Sequence, residues 1–224
     1  MATKKLIAID GPAGAGKSTV AKALAKAMGY TYIDTGAMYR AVTLNILSLG
    51  IDPADEAAAA AAAAKATIVF KLSGDGKQRV FLNGQDVTND IRSPRVDDNV
   101  SVIARLAGVR SALVRQQRKM AETGRVVMDG RDIGSTVLPG ADLKIYLTAS
   151  LAERTARRFQ DMVAGGYKPD YSRLREDIRR RDEMDSRREN SPLQKAADAI
   201  IIDTSGKTVP EVIAEIMALC QQEG

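Results

Sequence analysis

The sequence predicts an α/β fold in which a parallel sheet is covered by helices on both faces. Three features carry that expectation. Five short apolar runs, "KKLIAID", "YTYID", "RVVMD", "LKIYL" and "AIIID", recur along the chain and alternate with turns or helical patterns, as buried strands of a parallel sheet do. Four of these runs end in aspartate, and in such sheets the loops at the strand C-termini build the site. The first run leads through a glycine-rich turn, "GPAGAGKST", into the helical pattern "VAKALAKAMG".

Composition limits what else the chain can be. Its 224 residues, 45% of them hydrophobic, suffice for one domain with insertions. There is no histidine and one cysteine, Cys220, which removes disulfides within the chain, Cys/His metal sites and histidine-dependent catalysis. Any metal must be held by oxygen. The N-terminal "MATKKLIAID" has too short an apolar run for a signal or a membrane span, so a cytoplasmic protein without a membrane partner is expected. The formal charge of +5 fits an anionic ligand. Between Leu151 and Asn190, however, ten arginines and one lysine meet nine acidic residues, a mixed-charge region with no interleaved aromatic platform for nucleic acid.

The segment between the second and third apolar runs differs in character. "DEAAAAAAAAK", from Asp55, has an acidic start and a basic end and reads as a surface helix. "TIVFKL" and "RVFLNG", joined through "SGDGKQ", read as a hairpin. Together they suggest a small inserted subdomain.

Gly11, Pro12, Ala13, Gly14, Ala15, Gly16, Lys17, Ser18 and Thr19 fit G-x-x-x-x-G-K-[ST], with a strand before and a helix after. Glycines let backbone N–H groups turn inward around phosphate oxygens, and the helix N-terminus adds its positive dipole. Lys17 can then reach the terminal phosphates and Ser18 can ligate Mg²⁺. Asp129, ending "RVVMD", is placed like a Walker-B carboxylate that holds Mg²⁺ directly or through water.

Three uses of a triphosphate compete. A switch GTPase needs N-K-x-D, which the chain lacks. A nucleic-acid ATPase normally has more chain and a second core. A small-molecule kinase needs a second anion site built from arginines outside the phosphate loop. "YIDTGAMYR" offers Thr35 as a helix cap and Arg40 in the first turns. "RRRDEMDSRRE" puts Arg181, Asp185 and Arg188 at i, i+4 and i+7 on one helix face bordered by Ile178 and Met184, with Arg180 and Arg187 toward solvent.

These stretches, with "MDGRDIG" and "NSPL", resemble the bacterial cytidylate kinases in the same order over nearly the whole chain. The resemblance implies a P-loop kinase fold: a five-stranded parallel sheet with helices on both faces, a monophosphate-binding subdomain inserted at about 36–105 and a lid at about 154–182, hinged near Gly165 and Gly166. It implies that Thr35, Arg40, Ser101, Arg110, Arg131, Asp132, Arg181, Asp185 and Arg188 surround CMP or dCMP. It further implies that Arg157 joins the ATP site, that Lys17, Arg131 and Arg188 act in catalysis, and that a monomer uses ATP and Mg²⁺. Asp132 is then the reader of the base, since cytosine presents an N4 amino donor that a carboxylate accepts.

Overall fold

The computed structural model describes residues 6–74, 76–187 and 192–222. The chain divides into two compact units, Met1–Tyr32 with Thr123–Gly224, and Ile33–Glu122.

The first unit is built on the parallel sheet. The five apolar runs become β1 (Leu6–Asp10), β2 (Thr31–Asp34), β6 (Val126–Asp129), β7 (Leu143–Thr148) and β8 (Ile200–Asp203), ordered β2-β6-β1-β7-β8. The chain crosses from one unit to the other within β2. Ile7, Ala8 and Ile9 are all fully buried, so both faces of β1 are covered, as the unbroken apolar run requires. α1 (Lys17–Met28) lays Val20, Ala21 and Leu24 on the sheet, and α8 (Val209–Gln222) adds Val212 and Ile216. Because β1 and β6 pair in parallel, with Ile9 opposite Asp129, their C-terminal ends lie side by side. Both site-bearing loops start there. β2 and β8 are the edge strands, and β8 leaves Ile200 and Ile201 exposed. α6 (Leu151–Ala164) and α7 (Tyr171–Ser186) follow β7, and Phe159 meets Tyr171 at 5.8 Å between ring centroids.

The second unit contains α2 (Thr35–Ser48), α3 (Glu56–Lys65), the antiparallel strands β3 (Ile68–Leu72), β4 (Gln78–Leu82) and β5 (Gln85–Asp86), then α4 (Pro94–Ile103) and α5 (Ala107–Ala121). Two readings of the sequence need correction here. The cap of α2 is Asp34, whose carboxylate accepts from Ala37 N at 2.9 Å, and Thr35 is the first helical residue, buried. The alanine helix α3 is not a free surface element: Ala59, Ala62 and Ala63 are buried. A Cβ on Gly108 of α5 would come within 2.4 Å of Ala60 Cβ. Small side chains let these helices approach closely, so the alanine run serves packing.

Candidate active site

After β1 the chain makes the glycine-rich turn. At Gly11, with φ +148°, an added Cβ would meet Leu147 O at 2.0 Å; at Gly14, with φ +78°, it would press on Arg154 Cβ at 3.0 Å. Neither position tolerates a side chain without moving backbone. Gly16 caps α1 in the left-handed conformation. The turn therefore ends with free amides at the start of α1, a ready anion site. Lys17 is buried, and its Nζ donates to Pro12 O at 2.7 Å. Burial, then the nearby Arg131 guanidinium, holds its ammonium well below the ordinary lysine range. A bound polyphosphate would reverse that by supplying the missing countercharge.

Ser18 Oγ donates to Asp129 Oδ2 at 2.8 Å, and Tyr32 Oη donates to Asp129 Oδ1 at 2.9 Å. The phosphate-loop hydroxyl and the strand-end carboxylate are thus adjacent, although 111 positions separate them in the chain. No group of three or more acidic, cysteine or histidine side chains that could hold a metal occurs among the described residues. Two side-chain oxygens beside the glycine-rich turn have the chemistry that fits Mg²⁺, which keeps several waters and takes phosphate oxygens as well.

From α6 and α7, Arg154 and Asp182 bond to the phosphate loop and Arg157 lies beside it. Arg154 donates from Nη1 to Ala13 O at 2.9 Å and from Nε to Ala149 O at 3.0 Å, and it pairs with Asp182; Asp182 Oδ1 accepts from Ala13 N at 3.1 Å. Arg157 donates to Thr204 Oγ1 at 2.9 Å and to Thr204 O at 2.7 Å, and Nη1 lies 3.7 Å from where a Cβ on Gly16 would be. Thr204 Oγ1 in turn donates to Ala15 O at 3.3 Å. Arg154, Asp182 and Thr204 have no role in the sequence reading, because nothing local in their stretches points to the loop.

The loop after β6 carries Arg131 and Asp132, then a single π-turn over Ile133–Val137. Arg131 Nε donates to Asp185 Oδ2 at 2.9 Å; Asp185 is buried and Arg131 largely so. Asp132 is also buried. On α7, Arg181 is half-buried and Ile178 buried, whereas Arg180 faces solvent and pairs with Asp177 at 2.6 Å. Arg181 and Asp185 thus share an inward face. The helix ends at Ser186, short of the full i to i+7 stripe, and Arg188 lies outside the described residues.

In the second unit, Arg40 on α2 donates to Ile91 O at 3.1 Å and pairs with Asp97 on α4. Arg110 on α5 is buried, donates to Ala104 O at 3.2 Å and stacks over Tyr39 at 5.6 Å. Ser101 lies half-buried on α4. Thr35, Arg40, Ser101 and Arg110 are thus all carried by the helices of one unit.

A phosphate loop joined to a strand-end aspartate defines a broad class; the match to known proteins narrows it. The family model described as cytidylate kinase matches residues 7–222. The chain belongs to the cytidylate kinase family. It is 50% identical over 223 residues to a cytidylate kinase of Bacillus licheniformis, covering 100% of this chain and 99% of that one. It is 54% identical over 217 residues to a cytidylate kinase of Desulforamulus reducens, covering 97% of each. Among solved structures, an uncharacterized protein from Eubacterium ventriosum shares the fold, with a TM-score of 0.51 at 15% identity over 98% of this chain and 99% of that one. Cytidylate kinases are phosphotransferases, so the anion cradle, Lys17 and the Ser18–Asp129 pair belong to an enzyme.

Proposed function

We propose that the chain transfers the γ-phosphoryl group of ATP to CMP or dCMP, giving ADP and CDP or dCDP. The observation that carries this reading is the Ser18–Asp129 hydrogen bond beside the phosphate loop, in a chain that matches the cytidylate kinases along its length.

In the reaction a phosphate oxygen of CMP bonds to the γ-phosphorus while the bond to the ADP oxygen breaks, and the electron pair leaves with ADP. No general base is required, because the nucleophile is already ionised near neutral pH; a chain without histidine loses nothing. Catalysis is positioning and charge stabilisation. The amides of residues 11–19 orient the ATP phosphates, and Lys17 leaves Pro12 O to meet the terminal ones. Ser18 would hold Mg²⁺ directly and Asp129 would hold it directly or through water. A bound ion would supply positive charge against the phosphoryl group in transfer. Arg131 and Arg181 are proposed to bind the acceptor phosphate, with Arg188 completing the set, and Asp132 to read cytosine. Thr35, Arg40, Ser101 and Arg110 are proposed as further CMP contacts, Arg40 and Arg110 by exchanging present partners. The segment spanning α6 and α7 is the proposed lid. Its joint, where Gly166 has φ +83°, permits hinging, and closure would exclude water from the γ-phosphate. No helix among the described residues is long and apolar enough to cross a membrane; a cytoplasmic monomer is proposed.

The test is coupled ADP release with ATP and a panel of CMP, dCMP, UMP, AMP, shikimate and RNA. Saturable stimulation greatest with CMP or dCMP is expected. Preferential stimulation by RNA or shikimate would overturn the reading.

A further inference from the structure

The loop that carries Arg131 and Asp132 is seated by a residue the reaction itself does not use. Asp10 ends β1, is 3% exposed, and lies next in sequence to Gly11, where the phosphate loop begins. Its two carboxylate oxygens accept from successive amides, Oδ1 from Ile133 N at 2.7 Å and Oδ2 from Gly134 N at 2.8 Å. Both amides sit in the first turn of the π-turn that follows Asp132, and the Asp132 carbonyl accepts from Thr136 N and Val137 N at 2.9 and 3.2 Å. Asp10 thus fixes the N-terminal end of a turn that also closes on the Asp132 carbonyl and, through Leu138 N at 2.7 Å, on Ile133 O. There is little slack around it. A Cβ on Gly134 would come within 3.1 Å of Lys144 Cδ and 3.4 Å of Asp10 Oδ2.

We propose that Asp10 is the positioning residue for acceptor recognition: its carboxylate seats the turn that aims Arg131 and Asp132, joining the strand end of the donor loop to the loop that binds the acceptor. The proposal rests on the reading of Arg131 and Asp132 as CMP contacts. The phosphate loop has other anchors, the Leu147 backbone against Gly11 and the Arg154–Asp182 pair on Ala13. Loss of Asp10 should therefore be felt mainly by the acceptor.

Asp10→Asn keeps the shape but leaves one acceptor oxygen for two amides, and Asp10→Ala leaves none. KM for CMP should rise about tenfold for each charge-assisted hydrogen bond lost, and KM for ATP should stay within about twofold. The KM order for CMP should be Ala above Asn above wild type. Gly134→Ala, whose Cβ would crowd Lys144 Cδ and Asp10 Oδ2 while leaving the carboxylate itself in place, should raise KM for CMP in the same selective way and keeps the idea testable should Asp10→Ala fail to fold. Equal rises in both KM values, or a loss of kcat and thermal stability with both KM values unchanged, would overturn the proposal. Wild-type protein run alongside separates the two readings. Its failure to phosphorylate CMP removes the proposed function, whereas normal wild-type turnover with unselective variants removes the role of Asp10 alone.

Discussion

The loops that follow β1 and β6 start side by side at the end of one sheet, yet they are held in opposite ways. Residues 11–16 take their shape from within: three glycines at positive φ, two of them pressed against Leu147 and Arg154. Residues 130–137 carry no positive-φ glycine and are shaped from outside, by the Asp10 carboxylate under the π-turn and by Asp185 against Arg131. A loop shaped from within is written in its own stretch of sequence. A loop shaped from outside is written in residues more than fifty positions away, and it can be unseated without any change in its own composition.

The sharpest way to test the inner-shaped loop is Lys17→Ala. Lys17 is buried, but its ammonium serves ligand charge and not the apolar core, so the protein should still fold while kcat falls at least about 10²-fold, the scale for losing one transition-state stabiliser. Near-normal turnover would remove the phosphate-loop assignment.

On the outer-shaped loop, the brace on α7 gives a paired test. Arg181→Ala should lower kcat/KM for CMP by about 10- to 150-fold, the range for one charge-assisted contact. Arg180→Ala, whose side chain pairs with Asp177 in solvent, should be nearly silent. Equal effects at both positions would mean that α7 has no privileged face toward the site.

How far the sequence was legible follows the same division. All five sheet strands could be marked, because apolar runs four to six residues long ending in turn signals are local patterns. The phosphate loop was readable residue by residue for the same reason. The start of α2 is ambiguous by one position, since Asp34 and Thr35 are both cap-competent and only the carboxylate's reach to Ala37 N decides for Asp34. The burial of α3 was invisible because alanine is equally at home on a surface and in a tight helix pair; Gly108, 48 positions beyond Ala60, held the answer. In the sequence Asp10 is one strand-end aspartate among four. Its partners lie 123 and 124 residues away, and no spacing rule connects them.

A smaller effect is expected at Asp132→Asn, which keeps the shape of the side chain while losing its charge and gaining a donor that can face uracil O4. Sites that hydrogen-bond a substrate group discriminate strongly against analogues lacking it, so the ratio of kcat/KM for CMP to that for UMP should shrink about tenfold, chiefly through CMP. An unchanged ratio with lower activity would leave Asp132 as a support of the loop and not a reader of the base.

The smallest effect bears most directly on the contrast between the loops, because a seat made of buried charge should titrate and a seat made of glycines should not. Burial, opposed by the two amide hydrogen bonds, raises the Asp10 carboxyl from 3.8 to about 6; Asp132 adds to the rise and Lys17 opposes it. A carboxyl with a folded pKa above its unfolded value binds its proton preferentially in the native state. Its contribution to stability is therefore full below about pH 4 and is lost as pH rises through about 6. Between pH 7.5 and 5.5 that linkage is worth roughly 0.8 kcal/mol, or about 2 to 3 °C in Tm for a chain of this length. Asp10→Asn cannot titrate, so subtracting its Tm from that of wild type at each pH removes the contribution of groups common to both proteins. The difference should grow in favour of wild type by about that amount as pH falls. A difference that stays flat would mean that Asp10 titrates near its ordinary value, with the hydrogen bonds from Ile133 N and Gly134 N offsetting the cost of burying the charge.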